Sequence, residues 1–175
     1  SLCAIVDGKG VATSMGFSPM DGLVMATRSG AIDPGVLLHL MRAEGMGVEA
    51  LDELLNKRSG LAALSGGEMD MKALLQRTDP AARFAVSHYC YWASRHAGSM
   101  IAAMQGLDGM VFSGGIGENA TAIRENIIQK LAWAGVSGRT EAFSRDDQKT
   151  DGAKAWVIAS DEEGEIARST RLLLK

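Results

Sequence analysis

A short apolar strand running through a glycine-rich turn into a helix, across residues 110–134, constrains this chain more than any other feature. Met110-Val111-Phe112 reads as a buried strand and Ser113-Gly114-Gly115-Ile116-Gly117-Glu118-Asn119 as a loop. Ile123, Ile127 and Leu131 then recur on one face of a helix that Gly135 stops. Strands interleaved with helices in this way predict an α/β or mixed α+β class. Gly114, Gly115 and Gly117 carry no Cβ, so the main chain there can approach a ligand closely. A helix start adds unpaired N–H groups and a positive dipole end. Together these suit a phosphate or the sugar of a nucleotide. Plain tight turns use the same residues, and spacing alone leaves both readings open. No Lys-Ser/Thr pair follows, so this is not a P-loop, and the glycine spacing is not the dinucleotide fingerprint.

The rest of the chain is mostly helical. Leu2 to Val6 and Val11 to Ser14 predict a hairpin about the turn dipeptide Asp7-Gly8. A long loop follows from Met15 to Ala31. Asp33-Pro34 opens a helix that carries Leu37, Leu40 and Met41 to a stop at Gly45. A second carries Val48, Leu51, Leu54 and Leu55 as far as Ser59-Gly60, and a third runs around Met71 to Arg77. Asp79-Pro80 repeats the start signal. The helix after it, Pro80 to Met104, is the longest, with Val86, Cys90, Ala93, Ala97, Met100 and Met104 in one stripe and Gly106 as its end. Residues 137–152 are polar and predict a loop, Ala155 to Ala159 a strand, and Ser160-Asp161-Glu162-Glu163 the opening of a last helix with Ile166, Thr170 and Leu173 inward. No linker or repeat divides the chain, which reads as one domain.

Charge and composition remove several functions. Net charge is −3 and no basic block exists, so nucleic acid and anionic membrane are poor partners. No apolar run approaches the roughly 18 residues of a membrane span, and no signal peptide is evident. Cys3 and Cys90 form no disulfide or metal spacing and fit a reduced cytoplasm. His88 and His96 lie eight apart without a third ligand and read as packing or surface residues. Arg28, in Thr27-Arg28-Ser29-Gly30, can present a planar fork to phosphate or carboxylate, although its spacing alone reads as a solvated arginine. Asp161-Glu162-Glu163 reads first as a complement to a helix dipole and second as a hard-cation ligand.

Residues 13–35 (TSMGFSPMDGLVMATRSGAIDPG) and 111–124 (VFSGGIGENATAIR) resemble the two signature segments of the acetate kinase family. The tail at 157–168 (VIASDEEGEIAR) is similar to that family's closing strand and helix. The family is about twice as long, so the chain resembles its C-terminal lobe. The resemblance implies a ribonuclease-H-like lobe of the actin-like ATPase superfamily, a mixed sheet flanked by helices, with residues 1–175 forming one nucleotide-binding lobe and the N-terminal lobe absent. It implies a reversible phosphotransferase working on ATP and acetate, with ATP/ADP and Mg²⁺ as cofactors and a homodimer formed through this lobe.

By the same resemblance, Arg28 matches the arginine that stabilises the transferring phosphoryl group. Gly115, Ile116, Gly117, Glu118 and Asn119 match one nucleotide-binding segment. Asp70, Met71 and Lys72 match a second, and Glu162 matches the Mg²⁺-associated glutamate. Ala12, Ala26, Ala31 and Lys72 depart from the usual residues. Lys72 stands where arginine is usual and offers a point charge without the planar fork. With half a cleft, the chain alone is expected to lack turnover. The alternatives are a propionate or butyrate kinase, a non-catalytic nucleotide-binding and dimerisation module, and, less well matched, a related sugar kinase or actin-like ATPase.

Overall fold

The computed structural model describes residues 1–136, 141–142 and 153–174. Apart from the two-residue strand at 141–142, the loop expected at 137–152 lies outside the described residues.

Asp79-Pro80 starts the central element. Asp79 accepts a hydrogen bond from the Ala82 amide, proline takes the first turn, and helix α5 runs Pro80–Met104. Its buried positions are small: Ala82, Ala85, Cys90, Ala93 and Ala97, with Met100 at the far end. Small side chains let neighbours come close, and three helices and a hairpin do. These are the helices α3 (Gly60–Ser65), α4 (Met71–Gln76) and α7 (Thr121–Lys130), and the hairpin of β1 (Cys3–Val6) and β2 (Lys9–Thr13). The helix ends at Met104 as expected, with the left-handed cap one residue before Gly106. Gln105 takes the left-handed conformation, and the Gly106 amide closes back on the Ile101 carbonyl.

The hairpin is antiparallel, with Ala4 opposite Ala12 and Val6 opposite Lys9 across a bulge between Ala4 and Ile5. Asp7 and Gly8 both have positive φ, as a two-residue turn matching the strand twist requires. A separate parallel sheet orders β3 (Gly109–Phe112), β5 (Lys154–Val157) and β4 (Glu141–Ala142), with β5 central. In its register Met110 faces Ala155 and Phe112 faces Val157. An apolar groove of about 480 Å³ runs between the hairpin and β3, over the Ala93, Ala97 and Met100 face of α5. The core below the groove joins Leu61, Leu74, Cys90, Ile123, Leu131 and Val136. No described helix is long and apolar enough to cross a membrane.

Three expectations change. The glycine loop is a short helix, α6 (Gly114–Asn119), followed after Ala120 by α7. The second helix stops before Ser59-Gly60 as expected, and the same pair also opens α3, where Gly60 holds the positive φ that the entry needs. Helix α1 (Pro34–Ala43) is capped by Asp33 as expected yet buries no residue, and Met41 is exposed. Helix α8 (Glu162–Leu173) also buries none: Ile166, Thr170 and Leu173 all face outward. Periodicity shows that a helix has an apolar face; it does not supply a neighbour to cover that face. Helix α2 (Val48–Lys57) buries Leu51 and Leu55 but leaves Val48 exposed.

Asp79 carries a pH-dependent contribution to stability. The Arg77 guanidinium donates to both of its carboxylate oxygens (2.8 and 3.0 Å) and to the Ser65 carbonyl (3.1 Å), tying the end of α3 to the start of α5. That ion pair, with the Ala82 amide, lowers the Asp79 pKa from 3.8 to about 2. A carboxyl more acidic when folded than when unfolded stabilises the fold above its unfolded pKa, and that gain is lost as pH falls through the folded value. Acid unfolding is therefore expected to steepen between pH 3.8 and about 2. Asp79→Asn, which keeps a capping oxygen, should flatten that stretch in circular dichroism titrations.

Candidate functional site

The site is built around α6. Three of its six residues are glycine, its N-cap residue Ser113 makes no side-chain cap, and so short a helix has little stability of its own. Side chains supply what propensity does not. Glu118 Oε1 accepts from the Gly114 amide (2.8 Å) and from the amide and hydroxyl of Ser160 (2.9 and 3.0 Å). One carboxylate thus ties the exits of β3 and β5 together, and these bonds hold its pKa below the usual range, the Ser160 amide most. Asn119 Nδ2 donates to the Gly115 carbonyl at 2.9 Å. Arg124, buried on α7, donates from Nη1 to the Gly117 and Glu118 carbonyls (2.9 Å each) and from Nη2 to Thr121 Oγ1 (2.9 Å).

The glycines divide in purpose. A Cβ on Gly115 would meet nothing within 4 Å, whereas one on Gly117 would come within 3.2 Å of the Phe112 backbone. Gly117 therefore serves the packing of α6 on β3, and Gly115 leaves space.

That space is a cavity of about 910 Å³ between α6, α4 and the segment before Arg28. It brings together six of the eight residues expected to hold nucleotide: Asp70, Met71 and Lys72 on one wall, Gly115, Ile116 and Asn119 on the other. Leu23, Val24, Met25 and Ala26 form a third wall. The volume falls within the range of ligand pockets, and the lining has the usual character, apolar with a few polar groups. Asp70 is the N-cap of α4, accepting from the Lys72 and Ala73 amides (3.3 Å each), and Met71 is buried, so Lys72 is the exposed member of its triplet whose charged group is not engaged in capping the helix. Gly117 lies on the apolar groove instead, and Glu118 lines neither space.

Arg28 follows the cavity wall by two residues. Its loop is clamped through the main chain. The Leu61 and Ala62 amides at the start of α3 donate to the Met25 and Ala26 carbonyls (2.9 and 3.0 Å). The Ser59 amide donates to the Thr27 carbonyl and Thr27 Oγ1 to the Asn56 carbonyl. A Cβ on Gly60 would strike the Met25 carbonyl oxygen. The backbone is fixed and the Arg28 side chain is exposed, outside the cavity lining.

Glu162 opens α8 beside Asp161, whose carboxylate caps the Gly164 amide at 3.1 Å; both carboxylates are exposed. Among the described residues, no group of three or more His, Cys, Asp or Glu could hold a metal ion. Glu162 alone fits only a hydrated Mg²⁺ that takes its remaining ligands from water and phosphate oxygens.

Three residues here were not foreseen. Tyr89 lines both the groove and the cavity, and burial pushes its hydroxyl up to about 12, so it stays neutral. Arg124 did leave a signal: an arginine beside Ile123 on an inward helix face needs partners for a buried charge. Ser160 left none, because its partner is 42 residues away.

The acetokinase family model matches residues 1–168. The chain is 41% identical to an acetate kinase of Methylocella silvestris, over 99% of this chain and 44% of that protein. It is 39% identical to one of Rickettsia prowazekii, over 99% of this chain and 46% of that protein. Among solved structures, Porphyromonas gingivalis acetate kinase superposes with a TM-score of 0.85 at 35% identity, covering 99% of this chain and 46% of that one. A propionate kinase from Francisella tularensis gives 0.80 at 36%, covering 95% and 44%. The chain thus spans less than half the length of the relatives it matches.

If Glu118 ties the two strand exits together, Glu118→Ala should speed hydrogen exchange at the Gly114 and Ser160 amides together. Because the Glu118 pKa is lowered in the fold, the tie is complete at neutral pH and is lost as pH falls through that lowered value. Exchange changing at only one of the two amides would count against a shared carboxylate.

Proposed function

The chain belongs to the acetokinase family, and on that premise we propose that it is the C-terminal, nucleotide-binding lobe of a kinase that moves phosphate reversibly between ATP and acetate. The cavity joining the Asp70–Lys72 and Gly115–Asn119 walls carries this reading. It gives ADP or ATP an apolar seat, with one cationic side chain, Lys72, at its edge and main chain free of Cβ at Gly115.

In the proposed reaction a carboxylate oxygen of acetate attacks the γ-phosphorus, the bond to the ADP oxygen breaks, and acetyl phosphate and ADP leave. Such transfers need positioning and positive charge around the three equatorial oxygens more than covalent help. Arg28 is suited to supply that charge. Its main chain is clamped by α3 while its guanidinium is exposed, so it can reach a phosphoryl group without the loop having to order. Mg²⁺ would be held by Glu162 together with water and phosphate oxygens, and would supply further neutralising charge. Gly115, Ile116 and Asn119 orient the nucleotide, and Glu118 fixes the turn that bears them.

Propionate or butyrate are candidate acceptors in place of acetate, and the likeness to a propionate kinase keeps the first of these in view. Self-association through this lobe is part of the proposal. It is favoured by exposed apolar side chains on α1 (Val36, Leu38, Met41) and α8 (Ile166, Leu172, Leu173). A binding and assembly module without chemistry of its own is the second reading, and the same exposed faces favour it.

Two measurements separate these readings. The 175 residues by themselves are expected to bind ADP and to give no turnover in a coupled acetyl phosphate assay; family-like turnover would refute the half-cleft argument. In the intact protein, Arg28→Ala should lower kcat by about 10³-fold with ADP affinity retained. Near-normal kcat would remove Arg28 from the chemistry, and no turnover even in the unaltered protein would leave the module.

A further inference from the structure

We infer that Arg124 is the positioning residue of the nucleotide site, setting the cavity face of α6 without touching the ligand. The inference rests on the nucleotide reading of the cavity above. Helix α6 bears Gly115, Ile116 and Asn119 on that face, yet it is six residues long, half glycine and without a side-chain cap from its N-cap residue Ser113. Glu118 secures its beginning through the Gly114 amide. Its end depends on Arg124, whose Nη1 spans the Gly117 and Glu118 carbonyls at 2.9 Å each. These are terminal helix carbonyls, which find few partners within a helix this short. The guanidinium is anchored in turn at Thr121 Oγ1, and the residue is 7% exposed, so this is an enclosed, geometrically defined contact.

The direction of failure follows from packing. Gly117 already sits against the Phe112 backbone, with no room even for a Cβ at ordinary contact distance. If α6 loosens, it cannot move toward β3. It moves on the cavity side, where Gly115 has open space, and takes Asn119 and Ala120 of the cavity lining with it. Arg124 therefore acts on ligand affinity through the shape of the turn.

The test compares Arg124→Met and Arg124→Lys in the intact protein by thermal midpoint, hydrogen exchange across 114–119 and ADP titration. Arg124→Met is expected to speed exchange in α6 and to weaken ADP binding about tenfold, the size of one lost charge-assisted bond. Arg124→Lys, able to reach one carbonyl, recovers part of both, and the nucleotide KM rises while kcat holds. Parent-like ADP affinity in Arg124→Met overturns the inference, as does weakened affinity with unchanged α6 exchange. If Arg124→Met does not fold, Arg124→Lys decides alone: intermediate exchange and affinity support the inference, and parent-like values of both overturn it. An unaltered protein that binds no ADP brings down the nucleotide reading itself. Normal ADP binding in the unaltered protein with no effect in either variant brings down only the role of Arg124.

Discussion

The cavity exists because five small or slender residues on one helix let four neighbours close in. Ala82, Ala85, Cys90, Ala93 and Ala97 keep the buried stripe of α5 low, and the element that bears Lys72 and the helix that anchors Arg124 both pack against it. The two walls that would hold a nucleotide come from segments 43 or more residues apart in sequence, at 70–72 and 115–119. Neither touches the other through a local turn; α5 sets their separation. A larger side chain along that stripe would change the width of the cavity before it changed any residue inside it.

Around that spine the main chain does much of the work that side chains do elsewhere. The Arg28 loop is held by amides at the start of α3 and by carbonyls at the end of α2, with Gly60 keeping a Cβ out of the contact. The α6 turn is held by one carboxylate and one guanidinium acting on its two ends. In both places the backbone is fixed and the functional face is left open. That arrangement suits phosphoryl transfer, where misplacement is costly and little covalent help is needed from the protein.

Several apolar faces are left uncovered among the described residues. Val36, Leu38 and Met41 on α1, the Ile166 and Leu173 side of α8, and Ile5 and Val11 on the hairpin are all exposed. Contiguous exposed apolar side chains of this kind are what interaction surfaces are made of. The periodicity of α1 and α8 gives each helix an apolar face, and both bury no residue among the described ones.

The local grammar of the chain was legible in its residues. Asp-Pro pairs at 33–34 and 79–80 started helices, Asp7-Gly8 turned a hairpin, and the stripe from Cys90 to Met100 was buried as its spacing required. Each of these depends on contacts within about four residues, which sequence displays directly. The α/β class and the family were equally readable, from strand–turn–helix order and two long motifs. Tertiary structure alone decided that Gly117 packs while Gly115 leaves space, that Glu118 spans to Ser160, and that Asp70 is occupied in capping α4. It also decided that Arg28 stands outside the cavity lining that its neighbours form. Those assignments turn on which distant backbone atom lies opposite each residue, and no spacing along the chain encodes that.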